Sequence, residues 1–192
     1  MSINEWKSHF QEAEDTVKRF HNDPSQLEKC LKLSQTITKV IQNKGNLFCC
    51  GNGGSHAQAM HFAEEWTGRF MKNRPPVGAI ALGDPTHLTC VGNDLGFDEV
   101  FSRQLDGLAR NGDFVLFLST SGNSPNLLKA VEVAKKKGLE TAALLGRDGG
   151  KLLPLVDNAI VVDAQLSHRI QEVHIQIIHS AIDLAERAIF KV

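Results

Sequence analysis

The stretch "DFVLFLSTSGNSPN", residues 113–126, decides the fold. An unbroken apolar run of strand length reads as a strand covered on both faces, not one washed by water on one side. Turn residues follow at once. Ser124 then stands where a helix wants its N-cap, and Pro125 where the missing N–H and fixed φ do no harm. Strand, turn and helix in that order make half of a βαβ unit.

Working outward, the same grammar recurs. "NLFCC" (46–50) runs into a glycine turn and a helix, "VGAIAL" (77–82) into a helix from about Asp84, and "FDEVFSRQLDGLA" (97–109) reads as one further helix. After "LLKAVEVAKKKG" come the strands "ETAALLG" and "NAIVVD", and a helix from about Ser167 to Phe190 closes the chain. Strands alternating with helices predict an α/β protein with a doubly wound parallel sheet covered on both faces. Two helices precede it. In the first, Trp6, Phe10, Ala13, Val17 and Phe20 recur at three- and four-residue steps; the second has Asp23 as N-cap, Pro24 at its first position and Gly45 after its end. These arms exceed what a minimal α/β unit needs, so their apolar faces cap the sheet or meet another subunit, and a homo-oligomer is expected.

Composition narrows the function. With 192 residues, 21 basic and 22 acidic, the chain reads as one domain, residues 1–44 forming the N-terminal helices and 45–192 the core. No block of like charge marks a nucleic-acid footprint, and no apolar run is long enough to span a membrane. The amino-terminal stretch lacks a signal peptide's continuous apolar segment, so a cytoplasmic protein is expected. The four cysteines show no CxxC spacing; Cys49 and Cys50 are strand neighbours that point to opposite faces, as reduced packing residues.

Two glycine-bearing loops carry the chemistry. The first, "CGNGGSHAQAMHFAEEWTG", begins like a dinucleotide fingerprint, but the required sixth-position glycine is His56, and no Walker Gly-Lys-Ser/Thr ending follows. The second places Ser119, Thr120, Ser121 and Ser124 between a strand and a helix N-terminus. Backbone N–H groups and the helix dipole attract an anion there, and capping needs one hydroxyl, not four, so this loop reads as a phosphate cradle. His61 and Glu65, one turn apart on a helix, share a face and suit a divalent ion, although a surface His–Glu pair has the same spacing.

The motifs "CGNGGSHAQAMHFAEEWTGRF", "CVGNDLGFDEVFSR", "STSGNSPN" and "RIQEVHIQIIH", spread over nearly the whole chain, resemble the sugar isomerase (SIS) domain family, and within it the phosphoheptose isomerases, also called sedoheptulose 7-phosphate isomerases. That resemblance implies an SIS-type sheet, a homotetramer, and a small phosphosugar as partner, with neither nucleic acid nor membrane involved. It implies isomerisation of sedoheptulose 7-phosphate to D-glycero-D-manno-heptose 7-phosphate through an enediol, the first step toward ADP-heptose and lipopolysaccharide core. It also carries over one Zn2+ per subunit on His61, Glu65, Gln171 and His179, with Glu65 and His179 as the acid–base residues. Asn52, Gly53, Gly54, Asn93, Asp94, Glu65 and Gln171 become sugar contacts, and Ser55, Ser119, Thr120, Ser121 and Ser124 the phosphate set. His174 gains no role. His168 stands where some members carry an acid, and Arg69 and Arg169 read as surface or helix-end residues.

One spacing resists that ligand set. Eight helical steps from Gln171 to His179 span about 12 Å, too far for an unstretched pair to share one ion. Either Gln171 lies in an irregular first turn, or the site joins two subunits. The competing class is a non-catalytic SIS protein, a sugar-phosphate sensor or a replication-initiator-associating factor. Such relatives keep the serine loop while losing the acid–base residues, whereas His61, Glu65 and His179 are all present here.

Overall fold

The computed structural model describes residues 1–191. Five strands, β1 (Leu47–Gly51), β2 (Ala79–Ala81), β3 (Phe114–Ser119), β4 (Glu140–Gly146) and β5 (Asn158–Val162), pair in parallel in the order β2-β1-β3-β4-β5. The helices are α1 (Ile3–His21), α2 (Pro24–Gln42), α3 (Gly54–Thr67), α4 (Pro85–Asp94), α5 (Ser102–Leu108), α6 (Pro125–Lys136) and α7 (Ser167–Phe190).

Because successive strand residues face opposite ways, the sheet divides the core in two. Leu47, Cys49, Phe114, Leu116 and Leu118 pack with α2, α3 and α7 on one face. Phe48, Cys50, Val115, Phe117 and Leu145 pack with α4, α5 and α6 on the other. Cys49 and Cys50 lie in different halves, as their adjacency requires, and all four cysteines are free. α3 leaves β1 towards one face and α6 leaves β3 towards the other. The crevice between the carboxyl ends of β1 and β3 is therefore the switch point where open α/β sheets bind ligands.

Three local readings change. β2 spans only Ala79–Ala81, because it is an edge strand with β1 as its single neighbour, and Val77 instead donates its N–H to the Trp66 carbonyl at 3.0 Å. The helix expected over 97–109 is split into a 3-10 turn, Phe97–Glu99, and α5, with Val100 and Phe101 both buried where the chain bends between them. At the end of α2 it is Lys44, at φ 62°, that takes the left-handed turn, while Gly45 is needed for space beside Val40 and the Gly112 carbonyl. The other end of α2 matches expectation: the Asp23 carboxylate accepts from Ser25 N–H at 3.0 Å. Along α1, Trp6 and Phe10 stay exposed.

Candidate active site

The loop after β1 turns through Asn52 and Gly53, the latter at φ 56°, and enters α3 without a side-chain cap. The loop after β3 is built largely from its own hydroxyls. Ser119 Oγ accepts from Gly122 N–H at 3.0 Å and Ser121 Oγ from Asn123 N–H at 3.2 Å. Gly122 sits at φ 64° against the Gly149 backbone, where a Cβ has no room. Leu152 N–H and Lys151 N–H reach back to the Gly122 carbonyl and to Asn123 Oδ1, which braces the loop from the β4 side. Ser124 occupies the N-cap position of α6 but makes no side-chain cap bond. Its hydroxyl, and the protons of Ser119 and Ser121, remain free to donate, which is what an anion in this loop requires.

A residue outside the sequence reading joins the two loops. Asn52 and Asn126 form a reciprocal amide pair, each Nδ2 donating to the other's Oδ1 at 3.0 and 2.9 Å, and Asn126 is buried. With both ends of its amide engaged, Asn52 serves chiefly to hold the loops together. Asn93 and Asp94, at the end of α4, are exposed and hydrogen-bonded to each other at 2.7 Å.

α3 and α7 run side by side in the same direction, and their facing residues form a ladder. At its head the Gln171 side chain lies against Gly54 and reaches Ser55 Oγ at 3.4 Å, while Gln58 Nε2 donates to the Gln171 carbonyl at 2.7 Å. Two turns on, about 10 Å along the axis, His61 Nε2 faces His179 Nε2 at 2.9 Å and Glu65 Oε1 at 3.3 Å. One donor atom from each of His61, Glu65 and His179 lies within 4.8 Å of the others. Gln171 is thus part of a regular α7, which removes the irregular first turn as an explanation of its spacing, and within this chain it sits with the loop and not with the three donors.

The sequence reading also missed Glu64. Its carboxylate meets His61 Nδ1 at 3.0 Å, a contact that favours a proton on Nδ1 and directs Nε2 as the ligating nitrogen towards Glu65 and His179. The adjacency "AEEW" was the available signal, since i+3 and i+4 from one residue both face it. Burial pushes the Glu65 carboxyl above its ordinary value, and the Glu64 charge adds to that push. Two imidazoles and a carboxylate, with one ring's Nδ1 held from behind by Glu64, are a donor set that fits zinc. Arg169, by contrast, is engaged with Glu172, Glu12 and the His9 carbonyl, tying α1 to α7, and Arg69 and His168 are exposed. A cavity of about 750 Å³ between α1 and the start of α7 shares no residue with the two loops or the donors.

A family model described as "SIS domain" matches residues 8–146. The phosphoheptose isomerase of Vibrio vulnificus is 49% identical over 177 residues, covering 92% of this chain and 93% of its own length. The solved phosphoheptose isomerase of Neisseria gonorrhoeae superposes with a TM-score of 0.89 at 37% identity, covering 100% of both chains. That of Francisella tularensis gives 0.90 at 32%, covering 97% of this chain and 99% of its own.

Proposed function

Since the chain belongs to the SIS domain family and, within it, to the phosphoheptose isomerases, we propose that this isomerase interconverts sedoheptulose 7-phosphate and D-glycero-D-manno-heptose 7-phosphate. The observation that carries the reading is the meeting of His61, Glu65 and His179 two helical turns along α3 from the turn at Gly53. The reaction moves a proton between C1 and C2 through an enediol. It needs a base at carbon, a proton donor and acceptor at the oxygens, and stabilisation of developing negative charge.

Glu65 takes the carbon-bound proton. Burial raises its carboxyl above the ordinary value, so the oxygen it does not give to a metal holds a proton more firmly than an exposed carboxylate does. His179 exchanges protons with the sugar oxygens, and Glu64 favours the His61 tautomer that directs Nε2 at the site. Ser55, Ser119, Thr120, Ser121 and Ser124 bind the phosphate; the backbone of Asn52, Gly53 and Gly54, with Asn93 and Asp94, meets the sugar. Anchoring the far end keeps a flexible open chain in register for proton transfer. His61, Glu65 and His179 would hold Zn2+, one per subunit, which when bound supplies Lewis-acid polarisation of the carbonyl and hydroxyl oxygens. Gln171 joins that set only across a subunit boundary. This agrees with the expected homotetramer and with the exposed Trp6, Phe10, Met60 and Phe97.

In this reading residues 1–192 form one SIS domain acting in the cytoplasm, on a substrate whose charge keeps it from crossing a membrane unaided. Among the described residues no helix is long and apolar enough to cross one itself. The test is to incubate the purified protein with sedoheptulose 7-phosphate and follow the aldose by NMR. Wild type converts it, thorough chelation removes activity and Zn2+ restores it, and Glu65→Gln is inactive with an unchanged oligomer. Turnover by Glu65→Gln near that of wild type would overturn the assignment of the base; activity indifferent to chelation would remove zinc from it.

A further inference from the structure

Past the donor cluster, the α3–α7 ladder ends in a buried ion pair that none of the chemistry above uses. Arg74 Nε meets Glu186 Oε1 at 2.8 Å, and both side chains are 1% exposed. Arg74 also donates through Nη2 to the Glu65 carbonyl at 2.6 Å and through Nη1 to the Trp66 carbonyl at 2.6 Å. Its guanidinium lies over the Trp66 ring, 5.3 Å from the centroid, and near Phe190 at 5.7 Å. Glu186 takes a second bond from Met71 N–H at 3.4 Å.

Each contact bears on the same geometry. The last carbonyls of a helix have no partner within it, and α3 ends two residues beyond Glu65. Arg74 satisfies two of them and sets a cation at the negative end of the helix dipole. Glu186 lies seven residues beyond His179, two turns along α7, so the pair fixes the spacing of the two helices just past the donors. A planar guanidinium can hold two carbonyls and a carboxylate at once in a fixed fork, which an ammonium cannot. We propose that Arg74 and Glu186 are positioning residues that set the distance between His61 and Glu65 on α3 and His179 on α7. The proposal rests on the reading of those three as the reacting centre.

The experiment separates positioning from mere stability. Removing one partner leaves a buried charge alone, whereas replacing both by apolar residues is often neutral or stabilising. The double variant R74M/E186M is therefore compared with R74K and with wild type for denaturant midpoint, oligomer, kcat, KM, and binding of Zn2+ alone to the chelated protein by calorimetry. E65Q serves as the reference for the reading beneath. Expected is a double variant that folds near the wild-type midpoint, with kcat down about tenfold or more, KM within twofold, and Zn2+ affinity about tenfold weaker, the range usual for residues that orient a metal's ligands. R74K is expected to lose kcat as well, with the charge opposite Glu186 kept.

Recovery of stability together with wild-type kcat and Zn2+ affinity in the double variant would overturn the proposal. Failure of both R74M/E186M and R74K to fold would overturn it too, making the pair a folding requirement. If E65Q itself retains turnover, the fault lies in the reading of the reacting centre and not in the clamp.

Discussion

Two of the three histidines on α7, five residues apart, have opposite fates. His174 faces the sheet, fully buried, and Nε2 meets the Leu145 carbonyl at 3.1 Å while Nδ1 finds no partner among the described residues. Burial pushes its pKa down to about 4. His179, on the neighbouring flank, is half-buried against His61 and lies near the Phe70 ring. One ring is a neutral piece of core; the other stands among the donors of the proposed site. The residue type is the same, so the flank of the helix decides the role.

The largest effect that would break this contrast is on turnover. His179→Gln is expected to lower kcat by about 10³-fold, within the range for losing a positioned acid–base group, with little change in denaturant midpoint. His174→Gln is expected to keep kcat within severalfold and to act on stability. The reverse pattern, measured by NMR turnover and urea melts on the same preparations, would exchange the two assignments.

Next in size is an acid effect owed to His174. Its folded-state pKa of about 4 lies below the ordinary 6.5. Above pH 6.5 both folded and unfolded chains hold the ring neutral, and stability is whole. Below it the unfolded chain takes up a proton that the folded one refuses, so stability falls by about 1.4 kcal/mol per pH unit until about pH 4, roughly 3 kcal/mol in all. Urea midpoints between pH 7 and 4 are expected to fall less steeply in His174→Gln. An identical slope in the two proteins would mean that His174 does not resist protonation.

The loops sharpen the contrast from the substrate side, where KM and not kcat is expected to move. Asn126→Ala leaves the Asn52 amide unpaired and is expected to raise KM for the phosphosugar about tenfold, the equivalent of one lost hydrogen-bonding partner at ~1.4 kcal/mol. Ser121→Ala removes one donor among several and is expected to cost only a few-fold in affinity by calorimetry. A fall in kcat larger than the change in KM, in either variant, would place that residue with His179 and not with the loops.

What could be read beforehand follows from the range of the interactions. Strand and helix order, the Asp23 cap and the opposed Cys49 and Cys50 depend on neighbours a few residues apart, and the amino-acid pattern carries them. His61 and Glu65 share a turn, so their pairing was legible as well. Asn126, Arg74 and Glu186 were not. Their partners lie 74 and 112 residues away in the chain, and nothing periodic marks an asparagine in a turn motif or an arginine in "KNRPP" as a cross-link. Arg69 and Arg169 drew notice because they flank recognisable motifs, yet the arginine that grips the Glu65 carbonyl stands five residues past the first of them. Gln171 shows the opposite case: helix arithmetic alone identified it as distant from His179, and the regular α7 bears that out.

The Asn52–Asn126 pair has a consequence for how a ligand arrives. Freezing loops and side chains on association usually subtracts from affinity. Here the protein's own amides join the two loops to each other, so part of that ordering belongs to folding and not to binding. Encounter is then close to the docking of two finished shapes. Association of the phosphosugar is expected to be governed by diffusion and orientation, and the loops to keep one conformation whether empty or full.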